Sequence, residues 1–199
     1  YVFDVKTPTE VVQNVKFGLP GHHNLTNALL AFAMAKSYGV SNEKIIAALA
    51  SFQGVRRRFS FQIREEKLVY IDDYAHHPTE INAVHQAVRE LYPGKKIIAA
   101  FQPHLFSRTK DFVDGFAESL SKFDEILLLE IYPARELPME GVNSTWLLNK
   151  IDNINKKLVS KDELFTAFEN SDADVFITIG AGDIGELVKD LKKALHEKN

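Results

Sequence analysis

The sequence predicts an α/β domain with a mostly parallel sheet and helices on both faces, preceded by a shorter segment of different character. Three observations predict it. From residue 68 onward, short β-branched or aliphatic runs alternate with stretches of helical period. The helical stretches each carry one apolar stripe, as helices lying on a sheet do. Proline and glycine fall between units, with Pro78 suited to a first helical turn and Pro93-Gly94 closing the same unit.

The expected strands are 68–72, 96–101, 126–131, a short 157–159 and 175–179, with 59–65 leading into the sheet. A helix should follow each of the strands from 68–72 onward. Ile81, Val84, Val88 and Leu91 mark the first; Phe112, Val113, Phe116 and Leu120 the second; Ile184, Leu187, Val188, Leu191 and Leu195 the last. The first fifty-odd residues read as two short strands, 2–5 and 11–17, then helices over 24–38 and 42–51. Gly39 should stop the first of these helices, and Ser41 or Asn42 should cap the second. The first helix is apolar on more than one face through Leu25, Leu29, Leu30, Phe32, Ala33 and Met34. Such a helix expects cover from something larger, and a dimer formed through this amino-terminal segment is one way to provide it. The expected boundary lies at Gln53-Gly54-Val55, dividing the chain into residues 1–54 and 55–199.

Composition excludes several functions. The chain has 199 residues, 45% of them hydrophobic and 26% charged, as a soluble globular protein has. Its 24 basic and 27 acidic residues give a formal charge of -3, so nucleic acid and an anionic membrane are not expected partners. The absence of cysteine excludes disulfides, thiolate metal sites and cysteine nucleophiles, and fits a reducing cytoplasm. No stretch reads as a signal peptide or a membrane span.

In an open parallel sheet, ligands sit outside the carboxyl ends of the strands, where the loops converge. Those loops are 72–78, 102–108, 132–136 and 180–183, and together they hold three of the seven histidines and two arginines. That convergence points to an active-site face. Asp72 and Asp73 suit either helix capping or acceptance of hydrogen bonds from ribose hydroxyls. His76 and His77 resemble metal ligands, but no further ligand falls at a recognised spacing, and contact with a carboxylate is the favoured reading, so no metal site is assigned. His85 reads as a satisfied core or boundary residue. Gly180-Ala181-Gly182 suits a phosphate cradle or, equally, a tight strand-to-helix turn. Arg56-Arg57-Arg58 is either a solvated basic turn or a fork for phosphate oxygens. Arg108, beside His104, favours binding of an anion.

Taken in order, Asp-Asp-Tyr-Ala-His-His-Pro-Thr-Glu at 72–80 and Phe-Gln-Pro-His-Leu-Phe-Ser-Arg-Thr at 101–109 resemble the Mur ligases. So do Pro-Gly-His-His-Asn-Leu-Thr-Asn-Ala at 20–28, Arg-Arg-Phe at 57–59 and Ile-Gly-Ala-Gly-Asp-Ile at 179–184, so that the resemblance covers nearly the whole chain. It implies that residues 1–54 are the end of a central ATPase domain and the remainder a Rossmann-like carboxyl-terminal domain. Within the family the likeness is to the members that add L-alanine to UDP-N-acetylmuramate in cytoplasmic peptidoglycan precursor synthesis. The resemblance implies ATP and Mg²⁺ as cofactors, an acyl-phosphate intermediate, and amide formation by the amine of L-alanine. It places Asn24 and Asn27 on adenine with His23 alongside, Arg58 on the ATP phosphates and Asp73 on the ribose. It places Tyr74, His76, His104 and Arg108 around the incoming L-alanine and the acyl-phosphate end of the sugar acid, with His76, His104 and Arg108 as the catalytic set. The family commonly has arginine where this chain has Leu105, which removes one cation from that site.

No P-loop sequence occurs in the chain, and the family's metal ligands are expected upstream of Tyr1, so these residues alone are expected to be inactive. Three other readings compete. One is the murein peptide ligase of cell-wall recycling, which attaches an intact peptide to the same sugar acid, and against which the 101–104 segment argues. The others are a non-catalytic nucleotide-binding module and a hydrolase built on His76, His77 and Asp73.

Overall fold

A computed structural model describes residues 1–197, and its contacts divide the chain into two units, Tyr1–Val55 and Arg56–Asn199. In the first unit, strands β1 (Val2–Lys6) and β2 (Val11–Lys16) form an antiparallel hairpin, followed by helices α1 (His22–Ser37) and α2 (Asn42–Ser51). Val5, Val12, Val15 and Phe17 from the hairpin pack on Ala28 and Phe32 of α1 and Ile45 and Leu49 of α2. Gly39 has φ +80, the left-handed conformation that ends a helix most readily without a Cβ. Only Ala28 and Phe32 of α1 are buried, whereas Leu29, Leu30 and Met34 are exposed. The helix therefore carries an open apolar face.

The second unit contains a six-stranded sheet in the order β3-β4-β8-β5-β6-β7. These strands are β3 (Ser60–Arg64), β4 (Val69–Asp73), β5 (Ile97–Phe101), β6 (Glu125–Leu128), β7 (Lys156–Leu158) and β8 (Val175–Ile179). β3 runs antiparallel to β4, and every other pairing is parallel. β4, β5 and β8 are buried throughout because helices cover both faces. On one face, α3 (Pro78–Leu91), α5 (Val113–Leu120) and α6 (Ser144–Lys150) bring Ile81, Val84, Phe116, Leu120 and Leu147 onto Ile71, Ala99 and Ile177. On the other, α7 (Lys161–Asn170) and α8 (Ile184–Glu197) bring Leu164, Phe168, Val188 and Leu191 onto Tyr70, Ile98 and Phe176.

Three expectations need correction. The single helix marked by Phe112, Val113, Phe116 and Leu120 is two, because Phe112 (φ -118) breaks α4 (Phe106–Asp111) from α5. The strand expected over 126–131 runs instead from Glu125 to Leu128, where its pairing with both β5 and β7 ends. His85 is not fully satisfied: its ring packs edge-on against Phe123, and the buried Nε2 has no hydrogen-bond partner.

Burial predicts where substitutions will be felt. Phe116→Ala removes a ring that is 1% exposed and packs on Phe101, and should destabilise the second unit by about 3–5 kcal/mol in chemical denaturation. Ile154→Ala, at a side chain 96% exposed, should change stability by less than about 0.5 kcal/mol.

Candidate active site

β8 lies between β4 and β5, so the loops after these strands emerge side by side at one edge of the sheet. The end of β4 is built by alternation, which sends successive side chains to opposite faces. Asp72 points to the side of Tyr70 and Thr178, accepts a hydrogen bond from Thr178 Oγ1 (2.9 Å) and forms an ion pair with Arg57 Nε (3.0 Å). Arg57 also donates to the Gly180 carbonyl (2.6 Å). The middle arginine of the run is thus neither a solvated turn nor a phosphate fork, because it is consumed inside the fold.

Asp73 points the other way, and its carboxylate accepts from the backbone N–H groups of Phe59 (2.6 Å) and Ala75 (2.7 Å). Tyr74 N donates to Arg57 O (2.7 Å), completing a seam between segments 57–59 and 72–75. Asp73 is 5% exposed with both oxygens engaged by the backbone, so in this structure it fastens a loop. Burial pushes its pKa up to about 6, against the pull of the two N–H donors and Arg58.

Tyr74, His76, His104 and Tyr132 form a chain of rings with successive centroids 5.3, 6.4 and 5.7 Å apart. Arg57 and Arg58 both lie over the Tyr74 ring. Arg58 is the exposed member of the pair, 3.8 Å from Glu80, and Glu80 also accepts from the backbone N–H of His76 (2.8 Å). Arg108, on α4, brings Nη1 to 3.3 Å from His104 Nδ1. His77 stands apart from this cluster as the cap of α3, its Nδ1 accepting from Thr79 N.

Partners fix the tautomers of the two site histidines. A guanidinium can only donate, so His104 Nδ1 accepts, and the neutral ring carries its hydrogen on Nε2. His76 Nδ1 faces the Tyr74 carbonyl at 2.9 Å, which can only accept, so Nδ1 carries a hydrogen and, in the neutral ring, Nε2 holds the lone pair. Burial, then the charges of Arg108 and His76, hold the His104 pKa below the usual imidazole value. Neutral His104 presents an N–H donor at Nε2, whereas His76 turns Nδ1 to the Tyr74 carbonyl and, at 3.4 Å, to the Glu80 carboxylate.

Gln102 governs the glycines of the last turn. Its side chain donates to Asp183 (2.8 Å) and accepts from Ile184 N (2.8 Å). A Cβ on Gly180 would stand 2.6 Å from the Gln102 carbonyl, and one on Gly182 would stand 2.4 Å from the Gln102 amide oxygen. Close packing therefore accounts for both glycines without a phosphate cradle. Among the described residues, no group of three or more His, Asp or Glu side chains is placed to hold a metal ion.

In the first unit, His23 and Asn24 are half-buried and Asn27 is exposed at the start of α1. Asn24 donates its amide to the Pro20 carbonyl (2.7 Å), which aims its side-chain oxygen as a fixed acceptor.

The family described as "Mur ligase, glutamate ligase domain" matches residues 57–182. This chain belongs to the Mur ligase family. It is 71% identical over its full length to the UDP-N-acetylmuramate--L-alanine ligase of Flavobacterium psychrophilum, and covers 44% of that protein. The enzyme of the same name from Flavobacterium johnsoniae is 66% identical over 99% of the chain, with 44% of the relative covered. Among solved structures, the UDP-N-acetylmuramate-alanine ligase of Thermotoga maritima matches 92% of the chain and 39% of its own at 28% identity, with a TM-score of 0.71. The murein peptide ligase of Psychrobacter arcticus matches 91% of the chain and 38% of its own at 25% identity, with a TM-score of 0.63. The chain thus spans under half the length of the relatives it matches.

Tyr74, His76, His104 and Arg108, which the motifs single out, meet at one sheet edge, with Arg58 over the Tyr74 ring. The motifs give no role to Tyr132, Glu136 or Glu80, and no sign of the internal use of Arg57. The first two lie on a loop already assigned to that edge, and loop position was the only signal available.

Asp73 makes the second unit sensitive to pH. Its folded pKa of about 6 lies above the unfolded value of about 4. Between these values the folded state holds a proton that the unfolded chain has lost, so this group's contribution to stability should fall as pH rises from about 4 to about 6. Denaturation midpoints measured across that window should show the decline, and Asp73→Asn should remove it.

Proposed function

We propose that this chain is part of a ligase that joins L-alanine to the carboxylate of UDP-N-acetylmuramate at the expense of ATP. The observation that carries the reading is the identity of 71% and 66% to ligases of that name over essentially the whole chain, in a segment that holds the entire ring and cation cluster. The names of these relatives, and the slighter likeness of the murein peptide ligase, favour a free amino acid over a peptide as substrate.

The residues present suit such a reaction. Forming an amide through an acyl phosphate demands cations for phosphate oxygens, a clamp on the amino acid and an acceptor for the amine's proton. Arg58 is an exposed guanidinium suited to phosphate. Arg108 and the Nε2–H of His104 are donors suited to a carboxylate, and the free lone pair of His76 Nε2 suits the proton of the attacking amine. Tyr74 packs between the arginines and His76 and keeps these groups apart. On α1, Asn24 and Asn27 sit one helical turn apart, with amides that match the hydrogen-bonding edge of adenine. Asp73 is assigned to holding the 57–59 segment that presents Arg58, in place of direct contact with a ribose. ATP and Mg²⁺ would supply the activated phosphoryl group and neutralise its charge, and the Mg²⁺ ligands are assigned to parts of the relatives that this chain does not cover.

The test is turnover by a protein of the relatives' full length carrying this chain, offered L-alanine or a cell-wall tripeptide. Product from L-alanine supports the proposal, and product from the tripeptide alone rejects it. In the same protein Arg108→Ala should lower kcat/KM for L-alanine roughly ten- to a hundredfold, or about 1.5–3 kcal/mol, and leave KM for ATP nearly unchanged. Weakened ATP binding with unchanged alanine kinetics would move Arg108 to the phosphate side of the site.

A further inference from the structure

Glu136 has no part in the scheme above, yet it joins the two loops that present the anion-binding half of the site. Its carboxylate accepts from the backbone N–H of Ser107 (2.9 Å) and, through the other oxygen, from the Ser107 hydroxyl. Ser107 is the second residue of α4, immediately before Arg108. We propose that Glu136 is a positioning residue for Arg108 and His104: through Ser107 it fixes the start of α4, and so the geometry in which guanidinium and imidazole meet the amino acid's carboxylate.

Backbone geometry supports this. Leu105, between His104 and α4, has φ 74 and ψ 135, a conformation that only glycine adopts without strain. A residue with a Cβ persists there only when its surroundings hold it. The restraint on its near side is Leu105 N donating to the Tyr132 carbonyl (2.9 Å), with the His104 ring stacked on Tyr132. The restraint on its far side is the Glu136 clasp on Ser107. Both come from the loop after β6, so that loop holds the strained turn at both ends. Glu136 is itself set by a turn in which its N–H donates to the Pro133 carbonyl (2.9 Å) and Ala134 takes φ 51. The hydrogen bonds from Ser107, with Arg108 nearby, keep its carboxylate below the ordinary glutamate range and so ionised at neutral pH.

A simple helix cap would hold α4 without affecting what Arg108 does. A positioning residue must affect it. If the clasp is released, the turn at Leu105 can relax and Arg108 can leave His104, and a misplacement of about 1 Å at a reacting group can cost a hundredfold in rate. The inference rests on the assignment of Arg108 to the amino acid, and the experiment has two arms that separate the two ideas.

In this chain, Glu136→Ala should lower the hydrogen-exchange protection of the Ser107 amide and shift the ¹⁵N resonance of His104 Nδ1, while amides of Ala99 and Ile177 in the sheet keep theirs. Glu136→Gln retains an acceptor oxygen and should preserve most of both signals. In a full-length ligase carrying this chain, Glu136→Ala should raise KM for L-alanine about tenfold with KM for ATP unchanged, and Glu136→Gln should recover most of the loss. If the His104 resonance does not move in Glu136→Ala, the positioning role is wrong. If it moves while KM for L-alanine stays constant, positioning stands and the assignment of Arg108 to alanine fails. Equal rises in KM for both substrates would reduce Glu136 to a general stabiliser and overturn the proposal.

Discussion

The ion pair between Arg57 and Asp72 is the interaction on which the second unit's working edge depends. Asp72 is 1% exposed, and a buried carboxylate persists as a charge only when its lone pairs are satisfied. Arg57 and Thr178 satisfy them, and Tyr70 extends the network from the far side of Thr178. One guanidinium thereby ties the segment before β3, the end of β4 and the turn after β8 together. Its volume also imposes sequence elsewhere, since a Cβ on Gly185 would meet the guanidinium at 2.4 Å. Losing Arg57 leaves the Asp72 carboxylate buried without its charge partner, the situation in which removal of one charge typically costs about 3–5 kcal/mol.

That pair separates what a sequence can convey from what it cannot. Periodicity reports which face of an element is apolar, so the central strands and the helices on both sides of the sheet were legible. The aspartates at 72 and 73 were visible as a strand end, and alternation assigns them opposite faces. Nothing local says that one would take an arginine from fifteen residues upstream while the other would take two backbone amides. Arg57 itself has φ 59 and Leu105 has φ 74, conformations that neither side chain advertises. The break at Phe112 was hidden for a related reason: the apolar spacing continues across it, and only the backbone angles of that residue depart from helical ones.

The candidate site was legible as a set of residues but not as a set of protonation states. Two histidines on neighbouring loops look alike in sequence. One faces an arginine and the other a carbonyl, and those neighbours give them opposite hydrogen-bonding characters. A single sheet edge therefore holds two imidazoles that meet their neighbours in opposite senses.

The margins of the sheet bear on how copies of the protein behave at high concentration. An unpaired strand edge is a template for another strand, and long flat edges invite chains to stack into aggregates. Here the β7 margin is three residues long and carries Lys156 and Lys157, while the β3 margin has a register irregularity between Phe61 and Ile63 and ends in Arg64. Brevity and like charge at one side, and a kinked ladder at the other, leave little for a neighbouring strand to extend. The sheet that gathers these loops at one end of its strands offers, along its sides, little footing for fibrous growth.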